Sequence, residues 1–456
     1  MNNTSSEQIS KVYSAQREYF RSGVLTDVKL RKANLKAFEK ALLKWEKTLC
    51  DALLSDLHKS YEEAYMTEIS IVLGEIRTHI RKINSWTKPE RRSTPLKLFP
   101  SSSKIVSEPL GNTLIISPWN YPVQLLLVPL VGAISAGCTA VLKPSPYVPA
   151  VSEAIQRMIE DTFPPEYIAV VQGNRDVNSV LLNLRWDLIF FTGSPSLGKK
   201  VMSAAALNLT PVVLELGGKS PCIIDSSADI KVAAKRVAWG KCLNAGQTCI
   251  APDYLLIHKS VKDEFLAELK CNFEKLLGSD PKQSPHFVRI VNDSAFARLS
   301  SYLKDGDIYM GGETDAAERY FSPTVLDNVS SDAPVMLEEI FGPVFPVLTF
   351  ETLDQALSFV RDREKPLAFY YYGKSGDYVL KHSTSGGCCI NDCIMHIANE
   401  HLPFGGVGNS GMGSYHGKLT FDAFSHRRAV VSTNAHLDMP FRYMPYRLFK
   451  YIKGLM

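Results

Sequence analysis

Alternation of strand and helix patterns constrains this chain more than any other feature. Short apolar runs at Thr113–Ile116, Thr139–Leu142, Ile168–Gln172, Asp187–Phe191 and Val212–Leu216 are separated by stretches of helical character. A strand, a crossover helix and a further strand make a parallel sheet, because parallel neighbours need a long connection. A second round begins near Pro221 and includes Tyr254–Ile257 and Val344–Phe350. Ahead of both, residues 7–86 are helix-patterned. Leu35, Phe38, Leu42, Leu43 and Trp45 form one group near helical spacing, and Ile69, Ile71, Leu73, Ile76 and Ile80 another. From Thr87 to Ser103 the pattern breaks at Pro89, Pro95, Pro100 and a scatter of serines, which reads as a connector. The fold class expected is α/β, with two or three domains over 456 residues.

The uncharged stretch Leu125–Leu142 nears the minimum for a membrane span, but Pro129, Gly132, Ser135, Gly137 and Thr139 interrupt it. It reads as a buried helix followed by a buried strand. A net charge of +4 with scattered basic residues gives no footprint for nucleic acid. Nine cysteines lack regular spacing, and the start, Met1–Glu7, is polar with no apolar core. Reduced thiols and a cytoplasmic location are expected.

Two segments carry the chemistry. Cys249 ends Gly246-Gln247-Thr248-Cys249, and Glu215 stands at the end of an apolar strand in Leu214-Glu215-Leu216-Gly217-Gly218-Lys219. A thiolate that attacks a carbonyl and a carboxylate that handles protons and water are the two groups acyl chemistry requires. Ser117-Pro118-Trp119-Asn120-Tyr121-Pro122 follows a strand, where ligands bind in parallel sheets, and an Asn amide there can donate to a developing oxyanion, although on these residues alone a plain Pro-bounded turn is favoured. Lys143-Pro144-Ser145-Pro146 also follows a strand and suits a ribose or phosphate as readily as a solvated turn.

Three motifs point elsewhere and are set aside. Gly193 to Lys200 nearly matches the phosphate loop G-x-x-x-x-G-K-[ST], but Lys200 supplies no hydroxyl for a metal ion. Phosphate contact at the helix start fits, whereas nucleotide hydrolysis does not. Gly406-Val407-Gly408-Asn409-Ser410-Gly411 fits G-x-G-x-x-G but follows Leu402-Pro403-Phe404, and no carboxylate stands near Val430. Cys388, Cys389, Cys393 and His396 sit among Ile390 and Ile394, as in an apolar strand and turn, so no metal site is expected.

Taken in order, these segments resemble the aldehyde dehydrogenase superfamily across nearly the whole chain. The motifs are Pro118-Trp119-Asn120, Lys143-Pro144-Ser145, Phe191-Thr192-Gly193-Ser194, Glu215-Leu216-Gly217-Gly218, Gly246-Gln247-Thr248-Cys249, Glu338-Glu339-Ile340-Phe341-Gly342-Pro343 and Pro403-Phe404-Gly405-Gly406. Leu402–Lys418, Phe424–Arg428 and Cys249–Tyr254 are similar to its class 3 branch, which comprises dimers acting on medium- to long-chain aliphatic or aromatic aldehydes with NAD and often NADP.

The resemblance implies an aldehyde dehydrogenase-like fold. An NAD(P)-binding domain would take residues 1–85 and 110–217, and a catalytic domain 218–420. Segments 86–109 and 421–456 would form a small bridging sheet for homodimer formation and a C-terminal tail. It implies Cys249 as nucleophile, Glu215 as the base that activates water for thioester hydrolysis, and Asn120 with the Cys249 amide as oxyanion donors. Cofactor contacts would come from Ser117, Trp119, Lys143, Gly193, Ser194, Gly198, Leu216, Gly217, Glu339 and Phe341. Tyr121 and Phe404 would line the substrate tunnel.

Pro146 departs from the family, which usually has an acidic residue there to bind the adenosine ribose. Without that carboxylate, NADP is expected to be well tolerated. The basic, aromatic tail Arg442–Lys453 is too short to span a membrane. A docked tail or a gate over the tunnel is favoured over contact with a membrane surface. Competing functions fit less well. Glu215 argues against transfer of the acyl group to CoA. A cofactor-free cysteine hydrolase leaves Glu339-Ile340-Phe341 and Gly193-Ser194 unexplained, and a non-catalytic scaffold would not need Cys249, Glu215 and Asn120 together.

Overall fold

The computed structural model describes residues 3–455; residues 1, 2 and 456, where the expected domain ranges begin and end, lie outside it. Its architecture is the α/β layering expected, built on two large sheets, a three-stranded sheet and a two-stranded ribbon at 314–315 and 320–321.

The first sheet has six strands in the spatial order 411–412, 212–215, 188–192, 112–116, 139–143 and 168–170. The last five are parallel, and Gly411–Met412 pairs antiparallel with Leu214–Glu215 at the edge. Strands 139–143 and 168–170 build outward on one side of 112–116, and strands 188–192 and 212–215 on the other. The chain therefore reverses direction at the 112–116/188–192 pair, and a crevice opens beyond the carboxyl ends of those strands. The uncharged stretch resolves into the buried helix Gln124–Ala136 and the buried strand Thr139–Lys143. Helix Val28–Leu57 packs against this layer through Leu35, Phe38, Leu42 and Leu49, which share one apolar face. It ends at His58, whose left-handed φ of 62° turns the chain inward at Lys59.

The second sheet has seven strands in the order 307–310, 324–327, 344–350, 254–258, 221–224, 368–372 and 387–390, parallel except at the 307–310 edge. Ala368–Tyr372, a run of small and aromatic residues, is wholly buried between two neighbours. Cys388 and Cys389 lie on the strand Gly387–Ile390, as the apolar reading expected. The third sheet is antiparallel and joins 90–92, 101–109 and 425–433. The connector after Thr87 thus carries strand structure, supplied by a partner segment more than 300 residues away. Among the described residues no helix is long and apolar enough to cross a membrane.

Candidate active site

Cys249 is delivered by a strained turn. Helix Ile230–Cys242 is followed by Asn244, Ala245 and Gly246, with φ of 50°, 49° and 70°. Consecutive left-handed residues are unfavourable where a Cβ is present, so surrounding contacts must hold them. They do: the Gln247 side chain donates to the Asn244 and Arg289 carbonyls at 3.1 Å each and accepts from the Val291 amide at 3.1 Å. A Cβ at Gly246 would overlap the Gly342 carbonyl, so this position requires glycine on two counts.

The turn faces a cavity of about 1100 Å³ lined by Trp119, Asn120, Gly193, Ser194, Glu215, Leu216, Gly217, Cys249, Glu339 and Phe341. These residues, separated by more than 200 positions in the chain, were all singled out in the sequence. The Asn120 amide nitrogen donates to the Gln247 carbonyl at 3.0 Å, two residues before Cys249. The rings of Trp119 and Phe341 meet edge to face at 5.5 Å. Ser194 caps the helix Pro195–Ala206, whose first-turn residues Pro195 and Ser196 line the cavity.

The other expected site residues lie outside this lining. Ser117 is buried at the end of strand 112–116, its hydroxyl unpartnered. Lys143 is buried at the end of strand 139–143, and its ammonium donates to the Pro144 carbonyl at 2.8 Å. Gly198 packs under the Leu216 side chain. The Tyr121 hydroxyl is 2.7 Å from the Thr248 hydroxyl. Phe404 is buried with the His416 ring stacked on it at 5.2 Å and the Tyr415 ring edge-on at 5.7 Å.

Burial dominates the electrostatics. Glu215 is 2% exposed, and neither of its carboxylate oxygens has a hydrogen-bond partner among the described residues. Burial pushes its carboxyl well above the ordinary range. Glu339 is pushed up to about 8 by burial and by Asp253, against the pull of the Gly218 amide. Burial, with Glu339 and Glu215 nearby, raises the Cys249 thiol strongly. Burial alone lowers the Lys143 ammonium to about 8. Burial thus makes two acids and a thiol at this site harder to charge than they would be in water.

Several supporting residues escaped the sequence reading. Lys219 donates to the Val335 and Glu338 carbonyls at 2.9 Å each and pairs with Asp253 at 2.5 Å, while Asp253 accepts from the Ile340 amide at 2.8 Å. Those bonds fix the segment carrying Glu339. Arg298 donates to the Ile340 carbonyl at 2.8 Å from the other side. Glu63 accepts from the Asn244 amide at 2.9 Å under the Cys249 turn. The glycine run Gly406–Gly411, set aside as a dinucleotide fingerprint, closes the sheet edge beside Glu215 instead; the Leu216 amide donates to the Ser410 carbonyl at 3.1 Å. At the cysteine cluster, Cys389 Sγ is 3.3 Å from His396 Nδ1 and Cys393 donates to the Arg236 carbonyl at 3.2 Å. No group of three His, Cys, Asp or Glu able to hold a metal ion occurs among the described residues.

The cavity passes the test for a dinucleotide on three observations. The helix amides beyond Ser194 suit a pyrophosphate. Glu339 Oε1 is buried and unpartnered, an acceptor in want of a hydroxyl. At Gly217 a Cβ would overlap the Glu339 carboxylate, so the backbone there stays bare beside the acceptor.

Comparison with known proteins agrees with this geometry. A model of the aldehyde dehydrogenase family matches residues 1–430. The 4,4'-diaponeurosporen-aldehyde dehydrogenase of Staphylococcus aureus is 45% identical over 452 residues, covering 98% of each chain. Aldehyde dehydrogenase family 3 member B1 of Homo sapiens is 45% identical over 423 residues, covering 91% of this chain and 89% of that protein. Among solved structures, the substrate-bound state of Staphylococcus aureus AldH superimposes with a TM-score of 0.96 at 44% identity, covering 100% and 99% of the two chains. A point mutant of betaine aldehyde dehydrogenase from Staphylococcus aureus in complex with NAD+ reaches a TM-score of 0.87 at 27% identity, covering 97% and 91%.

Proposed function

The chain belongs to the aldehyde dehydrogenase family and oxidises aldehydes to carboxylic acids with NAD(P)+, and we propose that Cys249, Asn120 and Glu215 carry that reaction. The observation behind this assignment is that a buried, unpartnered Glu215 carboxylate, the Asn120 amide and the Cys249 thiol share one cavity.

In this reading Cys249 gives its thiol proton to the Glu215 carboxylate, which passes it to solvent, as Sγ adds to the aldehyde carbon to form a thiohemiacetal oxyanion. The second N–H of the Asn120 amide, left free by the bond to Gln247, and the Cys249 backbone N–H donate to the oxyanion. A bound NAD(P)+ supplies the acceptor for the hydride that leaves this adduct. Glu215 then takes a proton from water as it attacks the thioester on Cys249, releasing the carboxylic acid and restoring the thiol. Glu339 and Gly217 would hold the nicotinamide ribose, Gly193, Ser194 and Gly198 the pyrophosphate, and Lys143 with Ser117 the adenosine side. Trp119, Leu216 and Phe341 would wall the cleft, with Tyr121 and Phe404 toward the aldehyde.

The substrate class is medium- to long-chain aliphatic or aromatic aldehydes, in keeping with the aromatic and aliphatic side chains around Cys249. Pro146 is exposed and brings no carboxylate near Lys143, which supports tolerance of NADP. The domain ranges proposed are 1–85 with 110–217 for cofactor, 218–420 for catalysis, and 86–109 with 421–456 for bridging; the strand Gly411–Met412 crosses that division by pairing with Leu214–Glu215 in the first sheet. The exposed edge strand Ser425–Thr433 supports homodimer formation through the small sheet. All nine cysteines are free, which supports a reducing, cytoplasmic setting. The C-terminal residues are exposed, Met444 at 80% and Tyr451 at 68%, rather than docked on their own chain. That exposure favours, as a second reading, contact with a partner subunit or a membrane surface.

Turnover of hexanal, a long-chain aldehyde and benzaldehyde, each with NAD+ and with NADP+, tests the proposal. The expected result is oxidation of at least the aliphatic pair, with kcat/KM for the two cofactors within an order of magnitude. A preference for NAD of several orders of magnitude would remove the Pro146 argument, and no turnover with any aldehyde would remove the substrate assignment.

A further inference from the structure

We infer that the buried ion pair Lys59–Glu68 is a positioning device for Asn120, holding the loop 120–124 in the shape that aims the Asn120 amide at the reacting carbonyl. This rests on the reading of Asn120 as an oxyanion donor.

Both side chains are completely buried, with Lys59 Nζ 2.7 Å from Glu68 Oε1. Two charges are not withdrawn from water without hydrogen bonds to their remaining donors and acceptors, and the destinations of those bonds are informative. Lys59 Nζ also donates to the Asn120 carbonyl at 3.2 Å and stands 4.3 Å from the centre of the Tyr121 ring. The second Glu68 oxygen accepts from the Val123 amide at 2.8 Å and the Gln124 amide at 3.3 Å. Those amides lie at the start of helix Gln124–Ala136, which has no side-chain cap of its own. Glu68 therefore satisfies orphan donors from outside that helix, at the end where negative charge is favoured. Every polar contact of the pair beyond itself goes to the five-residue segment that carries Asn120.

Glu68 reaches this place through a local irregularity. Residues Tyr65–Ile69 form a single π-helical turn between helices Tyr61–Ala64 and Ser70–Trp86. Such turns cost stability and persist where they aim a side chain. The Asn120 carbonyl is gripped a second time by the Asn244 amide nitrogen at 3.0 Å, which also donates to the Gln247 carbonyl at 3.0 Å. With its carbonyl held by Lys59 and Asn244, the Asn120 peptide cannot rotate, and its side chain leaves the backbone in one direction. Neither Lys59 nor Glu68 lines the cavity, so both act through Asn120 rather than on substrate.

The test uses the full-length enzyme. Removing one partner alone strands a buried charge, so the decisive variant is the neutral double change Lys59→Met with Glu68→Leu. The expected result is a melting temperature close to wild type and a kcat lowered ~10- to 100-fold, short of the loss of a whole oxyanion donor. KM for aldehyde, NADH affinity by fluorescence and the rate of Cys249 alkylation by iodoacetamide stay near wild type. In an Asn120→Ala background the same double change lowers kcat by no more than about twofold, because the residue it positions is gone. Wild-type kcat in the double variant would overturn the inference, as would an equal loss in the Asn120→Ala background. Full activity of Asn120→Ala by itself would instead overturn the oxyanion reading beneath it.

Discussion

The side-chain nitrogen of Asn120 donates to the carbonyl of Gln247 across 3.0 Å, and this bond ties the loop after strand 112–116 to the turn that presents Cys249. One amide hydrogen is committed to the turn and the other is free. Replacing Asn120 by Ala removes both the link and the donor. Steady-state kinetics are expected to show kcat lowered by ~10²–10³ with cofactor affinity little changed. A change confined to KM would contradict the assignment.

Glu215 acts as a base only when deprotonated, and burial raises its carboxyl well above the ordinary range. Under that shift the protonated, inactive form of Glu215 persists to higher pH than for an ordinary carboxylic acid and declines as pH rises. When thioester hydrolysis limits turnover, kcat should therefore climb with pH. Glu215→Gln should flatten that climb and lower kcat ~10²-fold or more. A wild-type kcat that falls as pH rises would contradict the role.

At Gly217 the backbone lies directly against the Glu339 carboxylate, and a methyl group there would push the carboxylate aside. Because the displaced group is the end of a flexible side chain, Gly217→Ala should fold normally. Its KM for the dinucleotide should rise about tenfold or more while the melting temperature holds. An unchanged KM would show that Glu339 does not contact the cofactor.

Glu75 offers a test of stability rather than catalysis. It accepts from the Gly417 amide at 3.0 Å and the Thr420 hydroxyl at 2.5 Å and sits 3.1 Å from His79 Nε2. Burial opposes its ionisation, but the bonds from His79 and Thr420 outweigh burial and hold the carboxyl down at about 2 from 4.5. A depressed carboxyl contributes stability that is complete above its unfolded value and lost as pH falls toward its folded one. Roughly 3 kcal/mol should therefore disappear between about pH 4.5 and about pH 2. Denaturant melts of wild type and Glu75→Gln should differ at neutral pH and converge in acid. Parallel curves would contradict the linkage.

What was legible in the sequence depended on whether the information was local. Cys249 and Glu215 stand in short segments whose residue types announce their chemistry, and strand periods put Glu215 and the Asn120 segment at strand ends; the roles of Asn120 and Glu339 came from the resemblance to the aldehyde dehydrogenases. The chain reversal beside strand 112–116 was not legible, because alternation gives parallel strands but not their spatial order. Lys59 and Glu68 gave no such signal, since a lysine after a helix and a glutamate within helical periodicity read as solvated. Only the 61-residue reach from Lys59 to Asn120 makes them buried. The strand Ala368–Tyr372 was hidden because three tyrosines in a row match neither a polar nor an apolar template, although all three are buried. The tail's aromatics Tyr443, Tyr446, Phe449 and Tyr451 are exposed in the single chain, so what they pack against depends on what lies outside it.

The central claim is that Cys249 carries the acyl group and Glu215 releases it. Intact-mass and peptide mass spectrometry of Glu215→Gln, mixed with hexanal and NAD+ and quenched in acid, tests this most directly. The account predicts a stoichiometric hexanoyl adduct on the peptide bearing Cys249, one equivalent of NADH, and neither product from Cys249→Ala. Sustained NADH production by Cys249→Ala, or an adduct on any other residue, would contradict it.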